Sequence, residues 1–137
     1  MDKTFAIIKP RAFEKNLTGP ILNMISTAGF RIAAIKSLKL KRSQAEKLYD
    51  IHHGKPFYDQ LVDYMTSGPI IVMVLEKDNA IQDFRDLIGY TDPEEAGPGT
   101  IRRLYGLDKT QNAVHAADSP ESFEKEMSLF FKQEDLV

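Results

Sequence analysis

The chain has 137 residues, 42% of them hydrophobic and 28% charged, with a formal net charge of −2 and no cysteine. This composition predicts a single globular domain over residues 1–137, excludes disulfides and thiolate metal sites, and argues against a dedicated nucleic-acid binder, which would usually be basic. The start lacks a signal-peptide pattern, and the longest apolar run, residues 69–75, is too short to span a bilayer, so a cytoplasmic enzyme or binding module is expected.

The first third of the chain predicts two strands around a helix. "TFAIIK" (4–9) is typical of a strand that ends at Pro10. Residues 19–29 place apolar side chains on one helical face, and the glycine at the end is a plausible stop. Residues 30–41 alternate between apolar and polar, with a slip near Ala34 that indicates a bulge in a half-exposed strand.

The middle of the chain predicts two helices and a buried strand. Ser43 can cap a helix whose apolar stripe runs to His52. Pro56 can open a second helix, with Phe57 on its stripe. "PIIVMVLE" (69–76) is almost unbroken apolar sequence, which is typical of a central strand.

The last part predicts a helix, a long loop, a short strand and a final helix. Residues 79–89 are helical in pattern. Residues 90–106 are rich in glycine and proline, and a loop of this length in a compact domain is often functional. A short strand follows at 113–116. Ser119 and Pro120 then begin a helix whose predicted core stripe is Phe123, Met127, Phe130 and Phe131.

Strands that alternate with helices in this order predict an α+β fold, an α/β sandwich. The natural arrangement is a ferredoxin-like, four-stranded antiparallel sheet with βαββαβ order, insertions, and helices on one face.

His115 is the residue on which a functional interpretation depends. An imidazole held at one ring nitrogen can attack with the other. Glu126 could provide that hold if the final helix folds back along the strand before it. The alternative is a core histidine satisfied by the backbone, with Glu126 in solvent, and spacing alone favours this alternative.

Three cations could form a phosphate clamp near that histidine. Lys9 ends a buried strand, Arg85 shares a helical stripe with apolar residues, and Arg102 follows the long loop. Arginine suits bidentate contacts with phosphate oxygens, although a lone arginine more often lays its stem on apolar surface. Tyr49 and Phe57 both fit core packing, although an exposed Phe57 could stack on a base.

The stretch "NAVHAADS", followed by "ESFEKEM", resembles the Asn-x-x-His-Gly-Ser-Asp-Ser signature of the nucleoside diphosphate kinases. "TFAIIKP", "GPILNMI", "TDPEEAGPGTIR" and "FFKQEDLV" resemble other stretches of that family in the same order. The resemblance therefore covers essentially the whole chain.

The resemblance implies a ping-pong transfer of the γ-phosphate of a nucleoside triphosphate such as ATP to a nucleoside diphosphate, with broad base specificity. It implies that His115 is phosphorylated on Nδ1 and that Glu126 holds the opposite ring nitrogen. The remaining matches are phosphate contacts (Lys9, Arg85, Thr91, Arg102), ribose contacts (Lys9, Asn112), the base-stacking ring (Phe57), the tyrosine near the imidazole (Tyr49) and the final serine of the signature (Ser119).

The resemblance also implies Mg²⁺ that is carried by the nucleotide phosphates without protein ligands, and a homo-oligomer, either a tetramer or a hexamer. Four positions depart from the family pattern. Ala116 and Ala117 replace the usual Gly-Ser, which predicts slower turnover or weaker stability at the site. Arg11 replaces the usual aspartate of Lys-Pro-Asp. Lys109 lies where an apolar residue often faces Phe57.

Two other functions remain open from the sequence. A non-catalytic nucleotide-binding protein on the same fold would bind nucleotide without exchanging phosphate. A ferredoxin-like nucleic-acid binder would show steeply salt-dependent binding to single strands, but the acidic balance argues against it.

Overall fold

The computed structural model describes residues 1–137, in which four strands form one antiparallel sheet. The strands are β1 (Asp2–Ile8), β2 (Arg31–Lys39), β3 (Pro69–Lys77) and β4 (Val114–Ala116). Their order across the sheet is β2-β3-β1-β4, with every neighbouring pair antiparallel. This order confirms the ferredoxin-like α+β fold.

Seven α-helices and two 3₁₀ turns connect and cover these strands. The helices are α1 (Pro10–Glu14), α2 (Thr18–Thr27), α3 (Arg42–Leu48), α4 (Tyr58–Met65), α5 (Ala80–Ile88), α6 (Ile101–Tyr105) and α7 (Pro120–Ser128), and the 3₁₀ turns are Asp50–His52 and Gln133–Asp135. None of the helices is long and apolar enough to traverse a lipid bilayer.

The helices cover both faces of the sheet, so the expectation of helices on one face is wrong. One core packs Phe5, Ile7 and Val72 against α3, α4 and α7. The other core packs Ile8 and Met73 against α1, α2 and α5. The cause lies in β1 and β3, which carry apolar side chains on both faces, and both faces must be removed from water. The inserted helices α3 and α4, together with α7, supply the second layer.

The predicted bulge in β2 is confirmed one residue from its expected place. The pairing of β2 with β3 shifts register between Ile32 and Ala34. The extra residue, Ala33, turns its carbonyl to the chain end, where it accepts a hydrogen bond from the N–H of Val137 at 2.9 Å. A bulge in an edge strand bends it and interrupts its free edge.

Three helix starts differ from the sequence prediction, and one is that of α4, which begins at Tyr58 and not at Pro56. Helix α3 begins at Arg42 rather than after a Ser43 cap, because the N–H of Lys41 already bonds the side chain of Gln44 at 3.0 Å. Pro10 does more than end β1, since it is the first residue of the unpredicted helix α1. A proline at this position costs no hydrogen bond, because the first N–H groups of a helix have no partner within it.

The predicted continuation of α7 through Phe130 and Phe131 is also wrong. The helix ends at Ser128, and the chain turns before both phenylalanines. They nevertheless lie in the core, where Phe130 stacks on Phe5 with ring centroids 5.5 Å apart. Lys36 donates to the carbonyl of Phe130. Burial was therefore predicted correctly, while the backbone that achieves it is irregular.

Candidate active site

His115 and Glu126 are hydrogen-bonded to each other. Nε2 of the imidazole lies 2.8 Å from Oε1 of Glu126, and both side chains are largely buried, with exposed fractions of 16% and 10%. The final helix therefore does fold back along its preceding strand, as the functional interpretation of His115 required. Because one ring nitrogen is held by a carboxylate, Nδ1 is left as the atom that can react.

The register of the sheet decides which way His115 faces. His115 pairs with Ile7 across the β1–β4 ladder. Directly opposite residues share a face of the sheet, so His115 points to the layer that contains α3, α4 and α7. Its ring meets the edge of Phe5 at a centroid distance of 6.3 Å. The histidine is thus half-buried at the margin of a core, not sealed within it.

A cleft of about 590 Å³ opens beside the imidazole. Its wall includes several of the residues that the family resemblance implicates: Tyr49, Arg85, Thr91, His115 and Glu126. A cavity of this size is within the usual range for small-molecule sites. Arg85 is exposed, so its side chain is available to an anion that enters the cleft.

Lys9 is buried directly after β1, with 5% of its surface exposed, and is not among the residues that line the cleft. Its ammonium donates to Oδ1 of Asn112 at 2.8 Å and to the carbonyl of Thr110 at 3.2 Å. Asn112 in turn donates to the carbonyl of Thr91 at 3.0 Å. Burial, followed by the charge of Arg102, lowers the pKa of Lys9 to about 7. An incoming anion would favour the charged form of this lysine.

Arg102 is held by two backbone carbonyls. It donates to Gly89 at 3.1 Å and to Val114, the neighbour of His115, at 3.0 Å. Its Nε is buried without a partner. Burial, and then the charge of Arg85, lowers the pKa of Arg102 to about 10. Of the three cations proposed from the sequence, Arg102 therefore lies near both Lys9 and Arg85.

Gly89 allows this arrangement because only glycine fits there. Its φ is +86°, and a Cβ would lie 2.6 Å from Oγ1 of Thr100. Thr100 caps α6, accepting a hydrogen bond from the N–H of Arg103. Close approach of the end of α5 to the start of α6 thus brings the Gly89 carbonyl within reach of Arg102.

The backbone just before β4 is strained. Ala113 has a φ of +78°, and the N–H of Val114 bonds the carbonyl of Asn112 at 3.0 Å, which forms a three-residue γ-turn. Such a conformation costs of the order of 1–3 kcal/mol for a non-glycine residue. The turn lies between Asn112 and His115, and it changes the direction of the backbone between these two residues.

Two aromatic residues occupy different parts of the site. The ring of Tyr49 is perpendicular to the imidazole at a centroid distance of 5.7 Å, and its hydroxyl is buried without a partner. Burial, with Glu126 nearby, raises the pKa of Tyr49. Phe57 is 43% exposed and meets His52 edge-on at 5.0 Å. It is therefore free to stack, unlike the core aromatics.

Ser119 acts on the helix that carries Glu126. Its side chain accepts from the N–H of Ser122 at 3.0 Å and caps the start of α7, as predicted. Neither His115 nor Glu126 bonds it. Ala117, where the signature usually has serine, is fully buried, so the Glu126 carboxylate is bonded by the imidazole without that hydroxyl.

His52 and Asp118 also line the cleft, and sequence reasoning missed both as site residues. Nδ1 of His52 is buried without a partner, and burial, with Lys55 and His115 nearby, lowers its pKa. In the sequence, the only indication for His52 was its position at the end of an apolar helical stripe. A residue packed in the core would have the same position. Asp118 accepts from the hydroxyl of Ser122 at 2.7 Å, a contact that lowers its pKa.

Comparison with known families agrees with this geometry. A family model for nucleoside diphosphate kinase matches residues 2–136. The chain belongs to the nucleoside diphosphate kinase family. A relative of that name from Saccharolobus islandicus is 48% identical over 99% of both chains, and one from Ignicoccus hospitalis is 47% identical over all of this chain and 93% of its own.

Solved structures of the family share the fold. A nucleoside diphosphate kinase from Aquifex aeolicus superposes with a TM-score of 0.96 at 41% identity, covering 99% of both chains. One from Halobacterium salinarum, in complex with CDP, gives 0.95 at 37% identity, covering 99% of this chain and 91% of its own. The chain is accordingly an enzyme, a kinase that exchanges phosphate between nucleoside tri- and diphosphates by the phosphohistidine mechanism general to the family.

Proposed function

We propose that His115 is the residue that carries the phosphoryl group, on Nδ1. The observation that supports this most directly is the 2.8 Å bond between Nε2 and Glu126, beside an open cleft. With the Nε2 proton donated to the carboxylate, the lone pair of Nδ1 attacks the γ-phosphorus. The bond from that phosphorus to the bridging oxygen breaks, and its electron pair leaves with the nucleoside diphosphate. The reverse sequence passes the group to a second diphosphate.

The surrounding charges fit the two charge changes of this step. Phosphorylation of Nδ1 makes the imidazole cationic, and Glu126 stabilises that cation through a charge-assisted hydrogen bond. Negative charge spreads over the transferred oxygens, where Arg85, Arg102 and Lys9 can meet it, with Thr91 as a neutral donor. Tyr49 packs against the ring and restricts its tilt. Ser119 supports the site indirectly, by fixing the start of α7.

The nucleoside is bound by groups that do not discriminate strongly among bases. Lys9 and Asn112, which are bonded to each other at 2.8 Å, are proposed to bond the ribose hydroxyls, and the exposed ring of Phe57 offers a stacking face. Stacking accepts any base, because every base has a π-face. We therefore propose broad base specificity.

The divalent ion required by such chemistry is proposed to be Mg²⁺, carried by the nucleotide. No three His, Cys, Asp or Glu side chains are grouped to hold a metal ion, which fits a site that receives the ion together with the phosphates. When bound, Mg²⁺ neutralises part of the phosphate charge. Kinase activity measured against Mg²⁺, Mn²⁺ and Ca²⁺ would test this assignment.

We propose a homo-oligomer, a tetramer or a hexamer, in the cytoplasm. One edge of β2 has only a single backbone hydrogen bond, between Ala33 and Val137, and an open edge with the exposed side chain of Ile35 is a typical place for a second copy to pair. Light scattering at several concentrations would count the subunits. A monomer at micromolar concentration would contradict the proposal. Cell fractionation would test the compartment.

Phosphoryl labelling tests the assignment of His115. Incubation with ATP labelled on the γ-phosphate should give a phosphoprotein that is stable to alkali and labile to acid. His115→Ala should abolish the label, whereas His53→Ala, which changes an exposed histidine, should retain it. Retention of the label in His115→Ala would show that another residue carries the group.

A further inference from the structure

Arg11 departs from the family pattern, and the structure gives its side chain a specific contact. It is the second residue of α1, and its guanidinium donates to the carbonyl of Tyr105 at 3.2 Å. Its backbone N–H donates to the hydroxyl of Tyr64 in α4 at 2.8 Å. Arg11 therefore joins α1 to α6 by its side chain and to α4 by its backbone.

We propose that Arg11 is a positioning residue that holds the end of α6 and the following segment, residues 106–112, in the geometry that binds nucleotide. This inference rests on the proposed nucleotide-binding roles of Lys9, Arg102 and Asn112. Arg11 itself lies outside the cleft and acts through these residues.

The end of α6 needs such a partner. A helix leaves its last carbonyls without intrahelical donors, and α6 is only five residues long. The cation of Arg11 supplies a donor to Tyr105, the last residue of that helix. Arg102 lies one turn earlier, and its carbonyl accepts from the N–H of Gly106 at 2.8 Å. A shift of the helix end would therefore move Arg102.

The segment after α6 is tied at its other end by Lys9. Lys9 lies two residues before Arg11 and bonds the carbonyl of Thr110 and the side chain of Asn112. Within the segment, the N–H of Leu107 bonds the carbonyl of Gln111 at 2.8 Å. The corner between β1 and α1 thus holds both ends of a closed loop, with one cation at each end.

The guanidinium of Arg11 supplies the donor on which this arrangement depends. An aspartate, the residue that the family pattern usually has here, cannot donate to a carbonyl and would be repelled by it. The arginine at this position therefore has a structural reason particular to this chain. Its guanidinium also lies at the C-terminal end of α6, where a positive charge is favourable.

Substitution of Arg11, with a control residue on α6, tests the proposal. Arg11→Met keeps the apolar stem and removes the donors, Arg11→Lys keeps a cation, and Arg103→Met removes a comparable bond to the carbonyl of Glu94 on the exposed side of α6. The measurements are kcat and KM for a nucleoside diphosphate, amide hydrogen exchange over residues 103–112, and thermal unfolding.

Arg11→Met should raise KM about fivefold, as expected for the loss of one charged hydrogen bond that orders the site, with kcat changed less than about twofold. Exchange over residues 103–112 should accelerate in Arg11→Met, and Arg11→Lys should recover most of both effects. Arg103→Met should match the wild type in both measurements.

Three outcomes would overturn the proposal. The first is wild-type KM and exchange in Arg11→Met. The second is an Arg11→Lys variant no better than Arg11→Met. The third is an equal fall in kcat and kcat/KM with a lower melting temperature, which would indicate a general structural defect. Failure of the underlying assignment is separate, because it would appear as unchanged nucleotide affinity in Lys9→Met and Arg102→Met.

Discussion

At the scale of single residues, the site consists of groups held in unusual states by their neighbours. Lys9 is a buried lysine with its pKa lowered to about 7, and Arg102 is a buried arginine with its pKa lowered to about 10. Both are costly for folding, since burial disfavours the charged form. A phosphate anion bound beside these two groups would relieve part of that cost.

Glu126→Gln should slow phosphorylation of His115 by about 10²-fold. A neutral amide stabilises the cationic phosphohistidine less than a carboxylate does, and its NH₂ group can select the wrong tautomer of the ring. Rapid-quench measurement of labelled enzyme would give the rate. Glu124→Gln, on the exposed face of the same helix, is the matched control and should react at the wild-type rate. Equal rates in both variants would remove Glu126 from the mechanism.

Lys9→Met should change how stability depends on pH. The pKa of Lys9 is about 7 in the folded chain, against 10.5 for the unperturbed group. Between these values the unfolded chain binds a proton that the folded chain does not, so the free energy of unfolding rises with pH by up to about 1.4 kcal/mol per unit. The methionine variant should lack this rise, and its stability relative to the wild type should therefore be greatest below pH 7.

Urea unfolding of the nucleotide-free protein at pH 7 and pH 9 would measure the difference. Lys15→Met, at an exposed position, controls for the loss of a lysine and should keep the wild-type slope. If Lys9→Met and the wild type gain the same stability over this range, Lys9 is not a buried cation of lowered pKa.

At the scale of elements, three helices carry a residue proposed for the site near one of their ends. Helix α4 presents Phe57 at its N-cap, α6 carries Arg102, and α7 carries Glu126 two turns after its Ser119 cap. An exposed aromatic at a helix start is fixed in position by the helix while its ring remains free. This is why Phe57 is exposed although its helical pattern alone suggested core packing.

Phe57→Ala should weaken binding of nucleoside diphosphates about tenfold, and by similar factors for purines and pyrimidines, because stacking is lost for every base. Calorimetric titration with ADP, GDP and CDP would measure it. Phe57→Tyr keeps the ring and should bind like the wild type. A loss confined to one base would indicate recognition of a base edge, contrary to the stacking assignment.

At the scale of the whole molecule, the two cores on opposite faces of the sheet hold the site together. β4 has only three residues, yet it carries His115, and its position depends on the ladder to β1 and on packing from α7 and the chain end. The stack of Phe130 on Phe5, which itself touches the imidazole, links the chain end to the site.

Phe130→Ala should lower the free energy of unfolding by about 3–5 kcal/mol, because it removes a buried aromatic ring and leaves a cavity. Chemical denaturation with urea would measure the change. Leu104→Ala, at a side chain that is 54% exposed, should stay within about 0.5 kcal/mol of the wild type. A small effect of Phe130→Ala would mean that the chain end contributes little to the core.

Much of the fold could be predicted from local patterns. The alternation of β2, the unbroken apolar run of β3 and the Ser119-Pro120 start of α7 are properties of adjacent residues, so they were predicted close to their true places. The layer on the second face, the end of α7 before Phe130 and the helix after Pro10 were not. These features depend on how separate elements compete for the same core. The hydrophobic periodicity of a local segment contains no information about that competition.

The sequence by itself determined the element types, the apolar faces and, through its resemblance to a family, the residues worth considering. Only the tertiary structure decided that Glu126 reaches His115 and that Lys9 meets Asn112, 103 residues further along the chain. The physical reason is that such contacts depend on strand order and register, which are set by the summed burial of both sheet faces. Arg11 is a further example. Its charge can be read from the sequence, whereas its hydrogen bond to the carbonyl of Tyr105 forms only in the folded chain.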